Sequence, residues 1–96
     1  MSLESEWNDN KARTNLKKHG VDFVEGTSVF SDPLARIFAD ESHSTDELRE
    51  IIVGHSSRKR LLLVCFTAPT KERVRVISAR VATRREKRDY EENITA

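Results

Sequence analysis

Leu61-Leu-Leu-Val-Cys-Phe66 is the longest apolar run in the chain, and it narrows the possible folds sharply. A strand with no polar face must be covered on both sides, so residues 60 to 67 predict a central strand. Ala68 to Glu72, with Pro69, reads as the connection to the next strand, Arg73 to Arg80. There the pattern alternates, with Arg73 and Arg75 on one side and Val74 and Val76 on the other. Ile77 shares the parity of the two arginines, so that side is not wholly polar. A helix from Thr83 to about Glu92 follows, opened by Thr83-x-x-Glu86, a capping box in which each residue satisfies a backbone N–H of the first turn.

Upstream, Ser2 to Trp7 alternates weakly and suits a short edge strand, with Asn8 or Asp9 capping the helix after it. That helix runs to about Lys18 or His19 and stops at Gly20, with Ala12, Leu16 and His19 expected on its buried face. Asp22 and Glu25 resemble a second capping box. Phe23, Thr27 and Phe30 then form a narrow stripe, ended by Asp32-Pro33. Leu34 to Ala39 and Glu47 to Gly54 read as strands around a polar loop that holds His43. The order is (β)ααββββα, with short connections and therefore antiparallel neighbours. The expected class is α+β: two N-terminal helices on one face of a mainly antiparallel sheet of about four strands, plus a C-terminal helix.

The 96 residues suit a single domain, 1–96. Net charge is +1, but its distribution is lopsided: residues 1 to 48 carry 5 basic and 10 acidic side chains, residues 49 to 96 carry 12 and 6. If the halves separate in space, one face attracts polyanions. Cys65 is the only cysteine, which excludes an intrachain disulfide and a cysteine-rich metal site. Three scattered histidines lack ligand spacing, so no metal or cofactor is expected. No run approaches a membrane span and no basic-then-apolar leader stands at the amino terminus, so the expected setting is cytoplasmic.

An ordered set of residues resembles the BrnT toxins of bacterial type II toxin–antitoxin systems, ribonucleases similar in fold to the RelE and ParE toxins. It begins with Glu6-Trp7-Asn8, Lys11, Asn15-Leu16-Lys17-Lys18-His19-Gly20, Phe23 and Val29-Phe30-x-Asp32-Pro33. It continues through Asp40, His43-Ser44, Glu47-x-Arg49, Gly54-x-Ser56, Arg60-Leu61-Leu62 and Arg75-x-Ile77-Ser78-Ala79-Arg80. It closes on Ala82-Thr83-x-x-Glu86-x-x-x-Tyr90-Glu91. Two departures stand out: Lys59 where the family usually has a hairpin glycine, and Leu48 in place of an acidic residue. The resemblance implies a toxin that cleaves RNA and stops translation. It also implies neutralisation by a BrnA-like antitoxin, similar to ribbon-helix-helix proteins, through which the pair reaches operator DNA.

Metal-independent RNA cleavage needs a base for the ribose 2′-OH, cations for the phosphorane and an acid for the leaving oxygen. Arg75 and Arg80, with Arg60 on the neighbouring strand, are the first candidates for the phosphate clamp, because guanidinium stays charged and forks onto two oxygens. Glu47-x-Arg49 places a possible base and its cation on one strand face, where a structural ion pair is the other reading. His43 is an alternative base or acid. Lys11, Lys18, His19 and Arg84 are candidates for gripping RNA, although Lys18 and His19 also suit the end of a helix dipole. Tyr90 is a candidate for base stacking or for the acid, and Trp7 for stacking, with core packing the competing reading for both. Two other functions fit the same chain: an idle member that only binds its antitoxin, and a ParE-like toxin with a protein target.

Overall fold

The computed structural model describes residues 3–40 and 48–95. In chain order these form β1 (Glu4–Glu6), α1 (Asp9–His19), α2 (Phe23–Ser28), a 3₁₀ turn (Val29–Ser31), β2 (Arg36–Ala39), β3 (Arg49–His55), β4 (Leu61–Thr70), β5 (Arg73–Val81) and α3 (Arg84–Thr95). The sheet order is β1-β5-β4-β3-β2. Its centre is β4, as the apolar run requires. The sheet has five strands and is mixed, because the weakly alternating N-terminal segment pairs in parallel with β5, Glu4 opposite Arg73 and Glu6 opposite Arg75. The remaining pairs are antiparallel.

Local chemistry sets the helix ends. The Asn8 side chain accepts from the N–H groups of Asn10 and Lys11 at 2.9 and 3.1 Å, and Gly20 closes α1 at φ 70°. Two readings of this region need correction. The inward face of α1 runs through half-buried Ala12, buried Asn15 and half-buried His19; the expected Leu16 is exposed instead. Asn15 takes the inward position because its amide donates to the carbonyls of Val21 and Ala79, at 2.9 and 2.8 Å, and accepts from the Ala79 N–H at 3.1 Å. The stripe drawn through Phe23, Thr27 and Phe30 also shifts. The helix tightens into the 3₁₀ turn after Ser28, so Phe23 and Val29 are the fully buried pair, while Phe30 is half-buried with its ring edge-on to Phe66.

Alternation along β4 then sorts the core. Leu62, Val64 and Phe66 face α1 and α2 with Val21, Phe23, Val29, Val74 and Val76. On the opposite face Leu61 packs with Val53 and Tyr90 of α3. This second cluster covers only the end of the sheet nearest the β3–β4 turn.

That turn holds the departure noted at Lys59. Ser56 and Arg60 close it, the Ser56 N–H donating to the Arg60 carbonyl at 2.8 Å, and Lys59 sits at φ 63°. The left-handed conformation is kept without the glycine that relieves it, at a steric cost of roughly 1–2 kcal/mol. Lys59→Gly is therefore expected to raise stability by about 0.5–1 kcal/mol after the extra unfolded-state entropy of glycine is subtracted. The urea midpoint is the measurement, and an unchanged or lower midpoint would refute the strain.

Candidate active site

Arg75 and Arg80 are five residues apart, a separation that sends two side chains to opposite faces of a regular strand. Here they share a face. Cys65 pairs with Ser78 but Phe66 pairs with Val76, leaving Ile77 as one extra residue in β5. The bulge shifts the alternation by one. Arg75 then lies opposite Thr67, and Arg80 opposite Leu63, on the face that α1 and α2 leave open. Arg49 joins them, since it lies opposite Thr67 from the other side.

Arg49 and Arg80 line a cleft of about 220 Å³ together with Asp40, Cys65, Ser78 and Ile77, floored by Ile51 and Leu63. A neighbouring cleft of about 460 Å³ holds Arg75 with Thr67, Glu50 and Leu48. Buried Thr67 separates the two by register, and its hydroxyl has no hydrogen-bond partner among the described residues. On the far side Ile51 and Leu63 also floor a more apolar groove of about 370 Å³ beneath Phe38, Glu86 and Tyr90. The open face is thus a trough over β3, β4 and β5 that carries Arg49, Arg75 and Arg80, with Asp40 and Glu86 among its lining.

Each arginine of β5 has a carboxylate. Arg75 donates from Nε to Glu6 at 2.8 Å, across the parallel pairing with β1. Arg80 makes a two-pronged contact with Glu86, Nη1 to Oε1 and Nη2 to Oε2, both at 2.7 Å. Glu86 also completes the expected capping box, accepting from the Thr83 N–H at 2.9 Å while its own N–H donates to the Thr83 hydroxyl at 3.1 Å. The Arg80 hydrogen bonds outweigh burial and, with the Thr83 N–H, hold the Glu86 carboxyl at about 2. Glu86 is therefore an anion across the physiological range. Cys65 behaves in the opposite way: burial, then the Asp40 carboxylate 3.9 Å away, push its thiol up and keep it protonated.

Several candidates lie elsewhere. Arg60 does not join the other arginines; it turns toward α2, where Nε donates to Glu25 at 2.9 Å and Nη2 to the Gly20 carbonyl at 3.2 Å. Glu25 is only 4% exposed and also accepts from the Ser56 hydroxyl at 2.7 Å. This corrects the second capping box. Asp22 does cap the Glu25 N–H at 2.7 Å, but the Glu25 carboxylate faces inward as the anchor of the β3–β4 turn, its pKa lowered mainly by the Arg60 hydrogen bond. Tyr90 is core rather than a base-stacking surface: it is buried, and its hydroxyl donates to the Leu34 carbonyl at 3.0 Å. Trp7 packs edge-on to Phe23. Lys11, Lys18 and His19 remain on α1, and Arg84 is exposed in the first turn of α3; none of the four lines the clefts. His43 and Glu47 fall outside the described residues.

Three cleft participants were not anticipated as such: Asp40, Ser78 and Glu86. Glu86 carried a signal, since a capping-box carboxylate six residues after an arginine at a strand end is within reach of it. Asp40 and Ser78 carried none beyond their place in the resemblance. Among the described residues no group of three His, Cys, Asp or Glu side chains converges, and no helix is long and apolar enough to cross a membrane.

Comparison with known proteins adds a family. A model described as the ribonuclease toxin BrnT of type II toxin–antitoxin systems matches residues 7–86. A 1.1 Å crystal structure of the Brucella abortus ribonuclease toxin BrnT is similar, with a TM-score of 0.65 and 26% identity over 86% of this chain and 100% of that one. No curated protein matches.

Proposed function

This chain belongs to the BrnT family of ribonuclease toxins of type II toxin–antitoxin systems, and on that premise we propose that it cleaves RNA in the trough, by metal-independent attack of a ribose 2′-OH. The observation that carries this reading is the bulge at Ile77, which puts Arg80 beside Arg49 and on the same face as Arg75. In such a reaction the 2′ oxygen loses its proton to a base and bonds to phosphorus. The bond to the 5′ oxygen breaks, and that oxygen takes a proton from an acid. Charge builds on the non-bridging oxygens in between, where fixed guanidinium groups stabilise it most. Arg49, Arg75 and Arg80 take this role. Glu47 or His43, both shortly before Arg49 in sequence, supplies the base. Tyr90 drops out as the acid, because its hydroxyl is committed to Leu34.

The rest of the reading follows from kinship. The cleaved RNA serves translation, a BrnA-like ribbon-helix-helix antitoxin neutralises the toxin and carries the pair to operator DNA, and the architecture is of the RelE and ParE type. Neutralisation would place acidic or apolar antitoxin segments over the trough. The pairing of both Arg75 and Arg80 with glutamates favours one other reading, an idle protein that only binds its antitoxin.

Incubating purified protein with RNA in EDTA tests the proposal. The expected products carry 2′,3′-cyclic phosphate and 5′-hydroxyl ends. Cleavage that stops in EDTA would refute the metal-independent mechanism. Growth arrest without RNA cleavage would favour a protein target, and antitoxin binding with neither activity would favour the idle member.

A further inference from the structure

Arg80 has five N–H donors in two forks, one formed by the two terminal nitrogens and one by Nε with the outer hydrogen of a terminal nitrogen. Among the described residues its hydrogen bonds come from Nη1 and Nη2 alone, to Glu86 at 2.7 Å on each prong and to the Val81 carbonyl at 3.4 Å. The terminal fork is thus occupied, and the lateral fork is left over on a side chain that lines the cleft and remains 40% exposed.

We propose that Glu86 is a positioning residue for RNA cleavage: it grips the far end of the Arg80 guanidinium so that the lateral fork is held in one orientation for a phosphate oxygen of the substrate. This rests on the ribonuclease reading of the trough. Glu86 suits the task because it is itself held. Thr83 and the first turn of α3 fix its carboxylate through the capping box, and Tyr90, one turn further on, is packed against Val53 and Leu61. The guanidinium therefore inherits the rigidity of a docked helix instead of the freedom of a long side chain. A carboxylate facing an RNA-binding trough would otherwise repel phosphate. Its charge is taken up by Arg80, and that pairing reconciles an acidic residue with a polyanionic substrate.

The test uses Glu86→Gln, because glutamine retains the capping-box acceptor and shape while removing the charge-assisted grip. Expected is a drop of about tenfold or more in kcat with KM changed less than threefold, a melting temperature within a few degrees of the wild type, and unchanged kinetics in Glu91→Gln, the same charge change on an exposed part of the same helix. In an Arg80→Ala background the further change Glu86→Gln should cost nothing, because nothing remains to be positioned. Equal losses in both backgrounds, or wild-type kcat in Glu86→Gln, would overturn the inference while leaving the ribonuclease reading standing. A wild-type protein that cleaves no RNA, or an Arg80→Ala protein that cleaves it as fast as the wild type, would overturn the reading beneath and this inference with it.

Discussion

Replacing Arg80 with alanine should lower kcat for RNA cleavage by about 10²–10³-fold, the usual cost of deleting one donor to a developing oxyanion. The fold should survive, since Arg80 is 40% exposed, its partner Glu86 is 30% exposed, and the capping box with Thr83 does not involve it. Arg80→Lys should recover little, because an ammonium cannot answer the Glu86 carboxylate with one fork and a phosphate with the other. Arg60→Ala provides the contrast. Arg60 is bonded to Glu25 on the helix side of the sheet, so its loss should lower the urea midpoint and leave cleavage per folded molecule unchanged. Initial rates on a short RNA, measured beside circular dichroism, decide the matter. A folded Arg80→Ala protein within tenfold of the wild type would remove Arg80 from the chemistry.

Asn15→Leu should be the most destabilising of the conservative changes in the core. Asn15 is 6% exposed, and its amide bonds both the N–H and the C=O of Ala79 as well as the carbonyl of Val21. A strand residue presents its N–H and C=O to the same side, so Asn15 pairs with β5 as a neighbouring strand would. It does so where β1, which reaches only as far as Arg75, has already ended. Leucine has nearly the same shape and no hydrogen bonds to offer. Three buried backbone groups would be stranded, and at about 1 kcal/mol or more for each the loss is about 3 kcal/mol. For a chain of this size that lowers the melting temperature by roughly 12 °C or more. A shift below about 4 °C would mean that water replaces the amide.

Much of the architecture was legible because hydrophobic pattern and turn chemistry agree along most of the chain. The apolar run of β4 put it at the centre, and Gly20, Thr83 and Glu86 marked helix ends that the structure keeps. What escaped were polar side chains doing the work of backbone. On α1 hydropathy points the wrong way, since it would bury Leu16, which is exposed, and expose Asn15, which is buried. Glu25 read as half of a capping box, because its real partners Ser56 and Arg60 are more than thirty residues away. The arginines were visible as a set, but their convergence was not. Period-two counting puts Arg80 on the wrong side of β5, and the register shift that rescues it depends on how β4 pairs.

The spare residue at Ile77 also gives β5 slack in length. Losing any one residue between Arg75 and Arg80 would let the ladder zip up evenly with Arg80 still outward and still opposite Leu63, whereas gaining one would leave an even ladder only by sliding Arg80 two places along β4, from Leu63 to Leu61. Drift in chain length along this strand should therefore be one-sided, tolerant of contraction and intolerant of growth.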